Sequence, residues 1–297
     1  MNQDKMKNQT QSREITGKTI LTGLLGSPVA HSISPQMHNE SFRYLGLDYV
    51  YLAFDVSPDN LKTAVEGLKV INARGYNLTM PHKNLICEYV DSMSPAAQLS
   101  NSVNTIVNEN GTLMGHTTDG IGYMRAVEDA GYTIIGEKMT LLGAGGAASS
   151  VLVQAALDGV TEIDVFNRKG ANFDRAQELI DRLNQQTACH ISLYDLEDEK
   201  QLTQSISESK ILTNGTSVGM HPHTDGCLIQ NQDVFHEHLI VSDLIYNPKE
   251  TKLMRLAKER GAETFNGLYM LLYQGAASFE LWTGEKMPVE HIKQCYF

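Results

Sequence analysis

The chain has 297 residues and a formal net charge of -11, and 41% of its residues are hydrophobic. This length favours two domains over one, and the hydrophobic share is typical of a globular protein with a buried core. A chain this acidic is a poor partner for nucleic-acid phosphates and anionic lipid surfaces, so we expect neither nucleic acid nor a membrane among its partners.

The four cysteines are widely scattered and form no Cys-x-x-Cys pair. This spacing argues against a disulfide framework and against a metal site, and it suits a reduced, cytoplasmic protein. Residues 1–18 are polar and lack the apolar core of a signal peptide, so we interpret them as a mobile tail.

The first half alternates apolar runs with amphipathic stretches, which predicts an α/β unit. Ser34 and Pro35 predict the start of a helix, with Ser34 as its N-cap. Asn110 and Gly111 predict the turn of a β-hairpin. The predicted strands are 20–26, 49–56, 75–80, 104–107 and a stretch around 114–115, and the predicted helices are 34–45, 58–68 and 83–90.

The second half restarts the pattern, which predicts a doubly wound unit. Its predicted strands are 138–142, 162–166, 191–194, 211–213 and 239–244, and its predicted helices are 120–130, 147–158 and 173–185. A long apolar helix at 268–283 is expected to return to the first domain. We therefore expect a first domain at 1–121, a Rossmann-like nucleotide domain at 122–265 and C-terminal helices at 266–297.

A glycine-rich turn follows the strand at 138–142 and opens a helix; its residues are Gly143, Ala144, Gly145, Gly146 and Ala147. Glycine permits the tight turn, and the missing Cβ lets the backbone approach a pyrophosphate. The helix N-terminus adds free N–H groups and the positive end of the helix dipole. The turn therefore indicates a dinucleotide, with a plain strand-to-helix turn as the alternative.

The end of the next strand carries Asn167, Arg168 and Lys169. A fold that prefers NAD usually has a carboxylate here for the ribose hydroxyls. Arg168 and Lys169 suit a 2′-phosphate instead, so taken alone they favour NADP or dual use. A solvated basic loop is the alternative, more for Lys169 than for Arg168.

Three segments of the first half carry candidate chemistry. Ser32 and Ser34 stand at a helix start, where hydroxyls and free N–H groups suit a carboxylate, although Ser34 also suits a simple cap. Lys83 is predicted at a helix N-terminus, which opposes the dipole and so suggests a functional role. Asp119 either pairs with Lys83 or caps the following helix.

The ordered set of motifs resembles the shikimate/quinate dehydrogenase family over nearly the whole chain. The matching segments are 32–35 (SISP), 77–83 (NLTMPHK), 104–105 (NT), 118–120 (TDG), 143–147 (GAGGA), 167–169 (NRK), 214–216 (NGT), 243–248 (DLIYNP) and 267–276 (GLYMLLYQGA). So many matches in order are far more specific than any single motif.

The resemblance implies a reversible, nicotinamide-dependent reduction of 3-dehydroshikimate to shikimate in the chorismate pathway of aromatic amino-acid biosynthesis. For some members it also implies oxidation of quinate to 3-dehydroquinate. The first domain and the C-terminal helices would then form the substrate domain. The sequence leaves the oligomeric state open, with a homodimer as one candidate.

The resemblance also assigns roles to individual residues. It implies a catalytic pair of Lys83 and Asp119. The substrate residues it implies are Ser32 and Ser34 for the carboxylate, and Asn77, Thr79, Asn104 and Gln274 for ring hydroxyls, with Tyr246 near the same pocket. The cofactor residues it implies are Gly143, Ala144, Gly145, Gly146, Ala147, Asn167, Arg168, Lys169, Gly170, Thr216, Ser217, Leu244 and Gly267.

The chemistry fits these residue types. A hydride moves between the nicotinamide and the ring carbon while a proton moves on or off the oxygen, a task that a positioned lysine can perform. A carboxylate beside a lysine stabilises the ammonium form. We therefore expect Asp119 to orient Lys83, which stabilises the alkoxide and shuttles the proton.

The loop after Asn167 is longer than in family members devoted to NADP. Its length and the stretch 214–220 resemble the quinate/shikimate branch, whose members can use NAD. That branch commonly has Asp where this chain has Gly170. The resemblance therefore favours NAD, and the charges of Arg168 and Lys169 favour NADP. We expect NAD, with NADP as the alternative or as a second cofactor.

Two other functions compete with this interpretation. A non-catalytic sensor of a dinucleotide or of shikimate would not need the Lys83 and Asp119 pair. A related dehydrogenase acting on a folate would not need the Ser-x-Ser segment or Gln274. His221 and His223 flank a proline without a ligand partner at suitable spacing, which indicates a surface loop rather than a metal site.

Overall fold

The computed structural model describes residues 14–297, so most of the predicted tail, residues 1–13, lies outside the described residues. The first half forms a six-stranded sheet in the order β2-β1-β3-β5-β6-β4. Its strands are β1 Ile20–Gly26, β2 Tyr49–Asp55, β3 Gly75–Leu78, β4 Ser92–Met93, β5 Thr105–Glu109 and β6 Thr112–His116. Its helices are α1 Ser34–Leu45, α2 Leu61–Val70, α3 Pro95–Ser100 and α4 Asp119–Asp129, with 3₁₀ turns at Pro58–Asn60 and Leu85–Tyr89.

The second half forms a six-stranded parallel sheet in the order β12-β11-β10-β7-β8-β9. Its strands are β7 Lys138–Leu142, β8 Glu162–Asn167, β9 His190–Asp195, β10 Ile211–Asn214, β11 Ile240–Asp243 and β12 Glu263–Asn266. Its helices are α5 Gly146–Asp158, α6 Ala171–Gln186, α7 Glu199–Glu208 and α8 Lys252–Glu259, with a 3₁₀ turn at Gln232–Val234. The chain ends with α9 Leu268–Thr283 and α10 Val289–Tyr296. This strand order is that of a doubly wound dinucleotide-binding fold, as predicted.

The long helix α9 returns to the first sheet. Its Phe279 and Trp282 are buried in the same cluster as Phe42 and Tyr51. Trp282 donates from its indole N–H to the carbonyl of Ile106 at 2.8 Å. The predicted fold class, two α/β domains with a C-terminal helix on the first, is therefore confirmed.

Helix α4 connects the two sheets and packs tightly on both sides. A Cβ added at Gly120 would lie 2.3 Å from the carbonyl oxygen of Ser150 in α5. A Cβ added at Gly122 would lie 2.6 Å from the carbonyl oxygen of Met270 in α9. The two glycines thus let α4 approach α5 and α9 closely enough to join the domains.

Two local predictions in the first half are wrong. Helix α1 begins at Ser34, with Ile33 rather than Ser34 as its N-cap. The segment 83–90 is a short 3₁₀ turn rather than an α-helix, so Lys83 does not lie at a helix N-terminus. The carbonyl of Lys83 accepts a hydrogen bond from the Val103 N–H at 2.8 Å, whereas the Cys87 N–H donates to Asn84 and not to Lys83.

Several short elements were not predicted from the sequence, namely β4, α3, α7, α8, β12 and α10. Helix α7 illustrates the reason, because it buries only Leu202, Ser205 and Ile206 and gives a weak apolar pattern. Within residues 14–297, no helix is long and apolar enough to cross a membrane.

His38 of α1 lies in the aromatic core of the first domain. Its ring stacks on Tyr51 with the centroids 4.4 Å apart, and Phe279 and Trp282 lie on its other sides. Neither ring nitrogen has a hydrogen-bond partner among the described residues. Burial lowers the pKa of His38 from 6.5 to about 3.

We predict that His38 makes the protein sensitive to acid. Because its pKa is lower in the folded state, the unfolded state binds more protons between pH 6.5 and about 3. Its contribution to stability is complete above pH 6.5 and falls as the pH drops, by at most about 1.4 kcal/mol per pH unit. Urea unfolding at pH 7.5 and pH 5 should show a smaller loss in His38→Phe than in the wild type.

The exposed His238 offers the matched control, since His238→Gln should leave the pH dependence as in the wild type. Equal losses of stability in the wild type and in His38→Phe would contradict the prediction.

Candidate active site

A cavity of about 380 Å³ lies between the two domains, at the start of α1, the end of β3 and the first half of α9. All nine residues predicted for catalysis and substrate binding line it, namely Ser32, Ser34, Asn77, Thr79, Lys83, Asn104, Asp119, Tyr246 and Gln274. Of the predicted cofactor residues, Ala147, Leu244 and Gly267 line the same cavity. The cavity is therefore a place where a substrate and a dinucleotide could meet.

Lys83 and Asp119 form an ion pair on the wall of the cavity. The Lys83 Nζ lies 2.6 Å from Asp119 Oδ2, and the side chains are 29% and 11% exposed. The other carboxylate oxygen, Asp119 Oδ1, accepts a hydrogen bond from Asn104 Nδ2 at 2.9 Å. The carboxylate is thus held on both oxygens and fixes the position of the ammonium group.

Asn104 is almost completely buried, and its amide orientation is set by its neighbours. Its Oδ1 accepts from the backbone N–H of Thr118 at 2.8 Å, which leaves Nδ2 to face Asp119. The same Nδ2 lies 3.4 Å from Gln274 Oε1. Asn104 therefore orients Asp119 and also connects it to α9.

Asn77 already uses its hydrogen-bonding groups within the protein. Its Nδ2 lies 3.1 Å from the Asn104 carbonyl and 3.0 Å from the hydroxyls of Thr105 and Ser278. Its Oδ1 accepts from the Tyr51 hydroxyl at 2.8 Å. Burial raises the pKa of Tyr51 well above its usual range, so this hydroxyl stays a neutral donor.

Ser278 is a functional candidate that sequence reasoning missed. Its buried hydroxyl lies 2.7 Å from that of Thr105 and 3.3 Å from that of Thr118, and it donates to the Gln274 carbonyl at 3.0 Å. It follows Gln274 by four residues, so both lie on one face of α9. That spacing was the available signal.

Ser32 and Ser34 lie together at the start of α1. The backbone N–H of Ser34 donates to Ser32 Oγ at 3.2 Å. Ser34 is buried, and both residues line the same cavity as Lys83. Two hydroxyls at a helix start can hold a carboxylate.

The glycine turn of the second domain has the shape that a pyrophosphate requires. Gly143 has φ +93°, and a Cβ there would lie 2.7 Å from Thr216 Cγ2. Around Gly145 and Gly146, no atom of the described residues lies within 4 Å of an added Cβ. Since Gly145 is the N-cap of α5, the first N–H groups of the helix face this space. These residues fit a dinucleotide.

The loop beside the glycine turn is held by a buried carboxylate. Asn214 accepts from the N–H of Thr216 at 3.1 Å and from its hydroxyl at 2.7 Å, and it donates to Asp243 at 3.1 Å. Burial raises the pKa of Asp243, and hydrogen bonds from the Ile245 N–H, Thr251 and Asn214 oppose that rise. Thr216 is thereby fixed next to Gly143, and Ser217 follows it on the exposed side.

The remaining predicted cofactor residues, Asn167 to Gly170, lie outside the cavity at the end of β8. Lys169 is 76% exposed, and its Nζ lies 3.4 Å from Asp195 Oδ2. The structure therefore separates the predicted cofactor residues into a group at the cavity and the turn, and a group further along the sheet edge.

One group of metal-ligand side chains occurs away from the cavity within residues 14–297. Ligand atoms of Glu40, His291 and Cys295 lie within 4.8 Å of one another. Glu40 is already hydrogen-bonded to His291 Nε2 at 2.5 Å and to Arg43 Nε at 2.7 Å. We assign no metal to this group, and the exposed His221 and His223 lie elsewhere on the surface.

An ammonium–carboxylate pair in a cleft beside a doubly wound dinucleotide turn is typical of two-domain nicotinamide-dependent oxidoreductases. Residues 24–106 match the shikimate dehydrogenase substrate-binding domain, and residues 267–294 match the shikimate 5′-dehydrogenase C-terminal domain.

Full-length relatives narrow the class. Shikimate dehydrogenase (NADP(+)) of Listeria monocytogenes serotype 4b (strain F2365) is 51% identical over 292 residues, which cover 98% of this chain and 100% of the relative. A crystal structure of shikimate 5-dehydrogenase from Listeria monocytogenes with shikimate and NAD has TM-score 0.94 and 50% identity, covering 97% of this chain and 99% of the other. Quinate dehydrogenase from Corynebacterium glutamicum with NAD has TM-score 0.83 and 27% identity, covering 94% and 98%. The chain belongs to the shikimate dehydrogenase family.

We predict that removal of the Ser278 hydroxyl destabilises the folded protein. In Ser278→Ala the buried amide of Asn77 and the hydroxyls of Thr105 and Thr118 lose a partner, which should lower the free energy of unfolding by about 1–3 kcal/mol. Urea denaturation measures this change. The exposed Ser207 of α7 is the control, because Ser207→Ala should change stability by less than about 0.5 kcal/mol. Equal effects of the two substitutions would contradict the prediction.

Proposed function

We propose that this protein is a shikimate dehydrogenase that reduces 3-dehydroshikimate to shikimate reversibly with NADH or NADPH, with Lys83 and Asp119 as its catalytic pair. The observation that carries the proposal is the 2.6 Å contact between these side chains on the wall of the cavity that Ala147 of the glycine turn also lines. Membership of the shikimate dehydrogenase family supports the substrate.

In this proposal the nicotinamide cofactor supplies the hydride when it is bound. The hydroxyls of Ser32 and Ser34 hold the substrate carboxylate, since both residues line the cavity where α1 begins. Gln274 and Thr79 offer polar groups to the ring hydroxyls, and Tyr246 lies on the side of the second domain. The ring is thereby oriented with its reacting carbon towards the second domain.

Lys83 acts on the oxygen of the reacting carbon. Its ammonium group stabilises the negative charge that develops on that oxygen during reduction and then donates the proton, and it accepts a proton in the reverse reaction. Asp119 holds Lys83 in place, and Asn104 holds Asp119. Met270, Leu271 and other apolar lining residues exclude water around the pair.

The saturated hydrogen bonding of Asn77 changes its proposed role. Each polar atom of its side chain has a partner within the protein at 2.8–3.1 Å. We propose that Asn77 forms the rigid floor of the pocket and that a ring hydroxyl bonds it only by sharing these partners. Asn104 lines the pocket in the same way, and it also positions the carboxylate of Asp119.

The cofactor groups are proposed to divide the dinucleotide between them. Gly143 to Ala147 hold the pyrophosphate, Thr216 and Ser217 line its path, and Leu244 and Gly267 border the nicotinamide at the cavity. Asn167 to Gly170 lie at the ribose of the adenosine half, at the end of the second strand of the domain.

We also propose the domain division 1–121, 122–265 and 266–297, which the separate sheets and the packing of α9 support. Four free cysteines suit a reducing compartment, so a cytoplasmic location remains our proposal. A homodimer is a candidate assembly, and light scattering coupled to gel filtration would decide it.

We predict that Lys83→Ala lowers kcat by about 10²-fold to 10⁴-fold or more, because the proton donor and the charge opposite the alkoxide are both lost. Shikimate should still bind measurably in titration calorimetry, since Ser32 and Ser34 remain. Lys62→Ala on the exposed face of α2 should leave kcat unchanged. Near-normal turnover in Lys83→Ala would refute the role of the pair.

A two-by-two kinetic matrix, with shikimate and quinate against NAD+ and NADP+, tests the substrate and the cofactor together. We expect shikimate to be oxidised with both cofactors, because relatives of this chain are named for NADP+ or hold NAD. Quinate oxidation is a second candidate activity, favoured by the likeness to a quinate dehydrogenase. Binding of shikimate without turnover in any combination would favour a sensor instead.

A further inference from the structure

The ribose end of the proposed cofactor site is formed by two neighbouring strands. Strand β8 pairs in parallel with β9, and Asn167 at the end of β8 lies opposite Asp195 at the end of β9. Because the strands are parallel, both residues lie on the side of the sheet where the strands have their carboxyl ends. The glycine turn after β7 lies on the same side. A carboxylate is therefore present on this side, although it comes from β9 and not from β8.

Asp195 is the fixed member of a pair with Lys169. The Asp195 side chain is 24% exposed and that of Lys169 is 76% exposed, with Oδ2 and Nζ 3.4 Å apart. The other oxygen, Asp195 Oδ1, accepts from the backbone N–H of Glu197 at 3.1 Å, which holds the carboxylate in place. The positive charge of Lys169 is thereby offset before any phosphate arrives.

Gly170 explains why the carboxylate does not come from the β8 loop itself. Gly170 has φ +136°, a backbone conformation that residues with a side chain rarely adopt. An aspartate at this position would be strained in this loop. The end of β9 is the alternative place from which a carboxylate reaches the same region.

Arg168 also lies in an acidic environment. It lines a cavity of about 290 Å³ with Glu197 and Glu199, which follow Asp195 in the chain. Besides Asp195 beside Lys169, two further acidic residues, Glu197 and Glu199, thus line the same cavity as Arg168. A doubly charged phosphate is disfavoured near such carboxylates, whereas a neutral ribose hydroxyl is not.

We propose that Asp195 is a specificity-determining residue that lowers the preference for NADP by offsetting Lys169 at the 2′-position of the adenosine ribose. The proposal rests on the proposed function only in so far as the dinucleotide binds at the glycine turn. It predicts that the charges of Asp195 and Lys169 have opposite effects on the efficiency with NADP and little effect on the efficiency with NAD.

The test is a double-substitution cycle in the full-length enzyme, with kcat/KM for NAD+ and NADP+ at saturating shikimate. Asp195→Asn should raise the ratio of NADP+ to NAD+ efficiency by about three- to tenfold, as expected for one charge acting on a phosphate several ångströms away. Adding Lys169→Met to Asp195→Asn should remove this gain, because the released ammonium produces it. Lys169→Met alone should lower the ratio, because it leaves the Asp195 carboxylate unpaired near the phosphate.

Asp198→Asn is the charge-matched control. Asp198 Oδ1 accepts from the Gln201 N–H at 3.0 Å and caps α7, a role that asparagine keeps. This variant removes the same charge from the same loop and should change the ratio by less than about twofold. A gain equal to that of Asp195→Asn would assign the effect to the general field and overturn the proposal.

A binding measurement separates this proposal from the proposed function. Titration calorimetry with 2′,5′-ADP and 5′-AMP reports the 2′-phosphate directly and needs no turnover. Tighter binding of 2′,5′-ADP to Asp195→Asn, with 5′-AMP unchanged, supports the proposal even if shikimate is not the substrate. An unchanged ratio in an enzyme that oxidises shikimate with both cofactors refutes the proposal and leaves the function intact.

Discussion

The carboxylate of Asp119 is the point on which the site depends. It accepts one hydrogen bond from Asn104 and one from Lys83, and it stands in the first turn of α4, the helix that joins the two domains. A buried carboxylate with only one of these partners would lose much of the interaction that offsets its desolvation. The proposed catalytic pair and the junction of the domains therefore share one residue, and displacement of α4 would disturb the contact of Asp119 with the Lys83 ammonium group.

The approach of α9 to the second domain depends on the absence of a side chain at Gly267. A Cβ at Gly267 would lie 2.0 Å from the carbonyl oxygen of Leu244, at the end of β11. Helix α9 thus starts in contact with the nucleotide domain and ends in the aromatic core of the first domain, around Trp282. Gln274 and Ser278 lie between these anchors, so the part of α9 that borders the cavity is fixed at both ends.

The sequence was sufficient where the information is local. The bounds of α9 and β7, the hairpin turn at Asn110 and the glycine turn follow from patterns within a few residues. Partners that are distant in the chain were not predictable. The four hydrogen-bond partners of the Asn77 side chain are Tyr51, Asn104, Thr105 and Ser278. The pattern of apolar residues in the sequence does not show that these residues meet Asn77. The prediction of Lys83 on a helix was wrong for the same reason, since its carbonyl accepts a hydrogen bond from the distant Val103.

The same distinction applies to charge at the cofactor edge. In the sequence, the adjacent residues Arg168 and Lys169 form a basic loop that suits a 2′-phosphate. In the folded sheet, the register of β8 and β9 places Asp195 beside that loop, although it lies 28 residues after Asn167 in the chain. A phosphate responds to the sum of the charges around it and not to their order in the sequence. If the dinucleotide binds at the glycine turn as proposed, its 2′-position meets the charges of both strand ends, and the loop after β8 alone does not fix the preference.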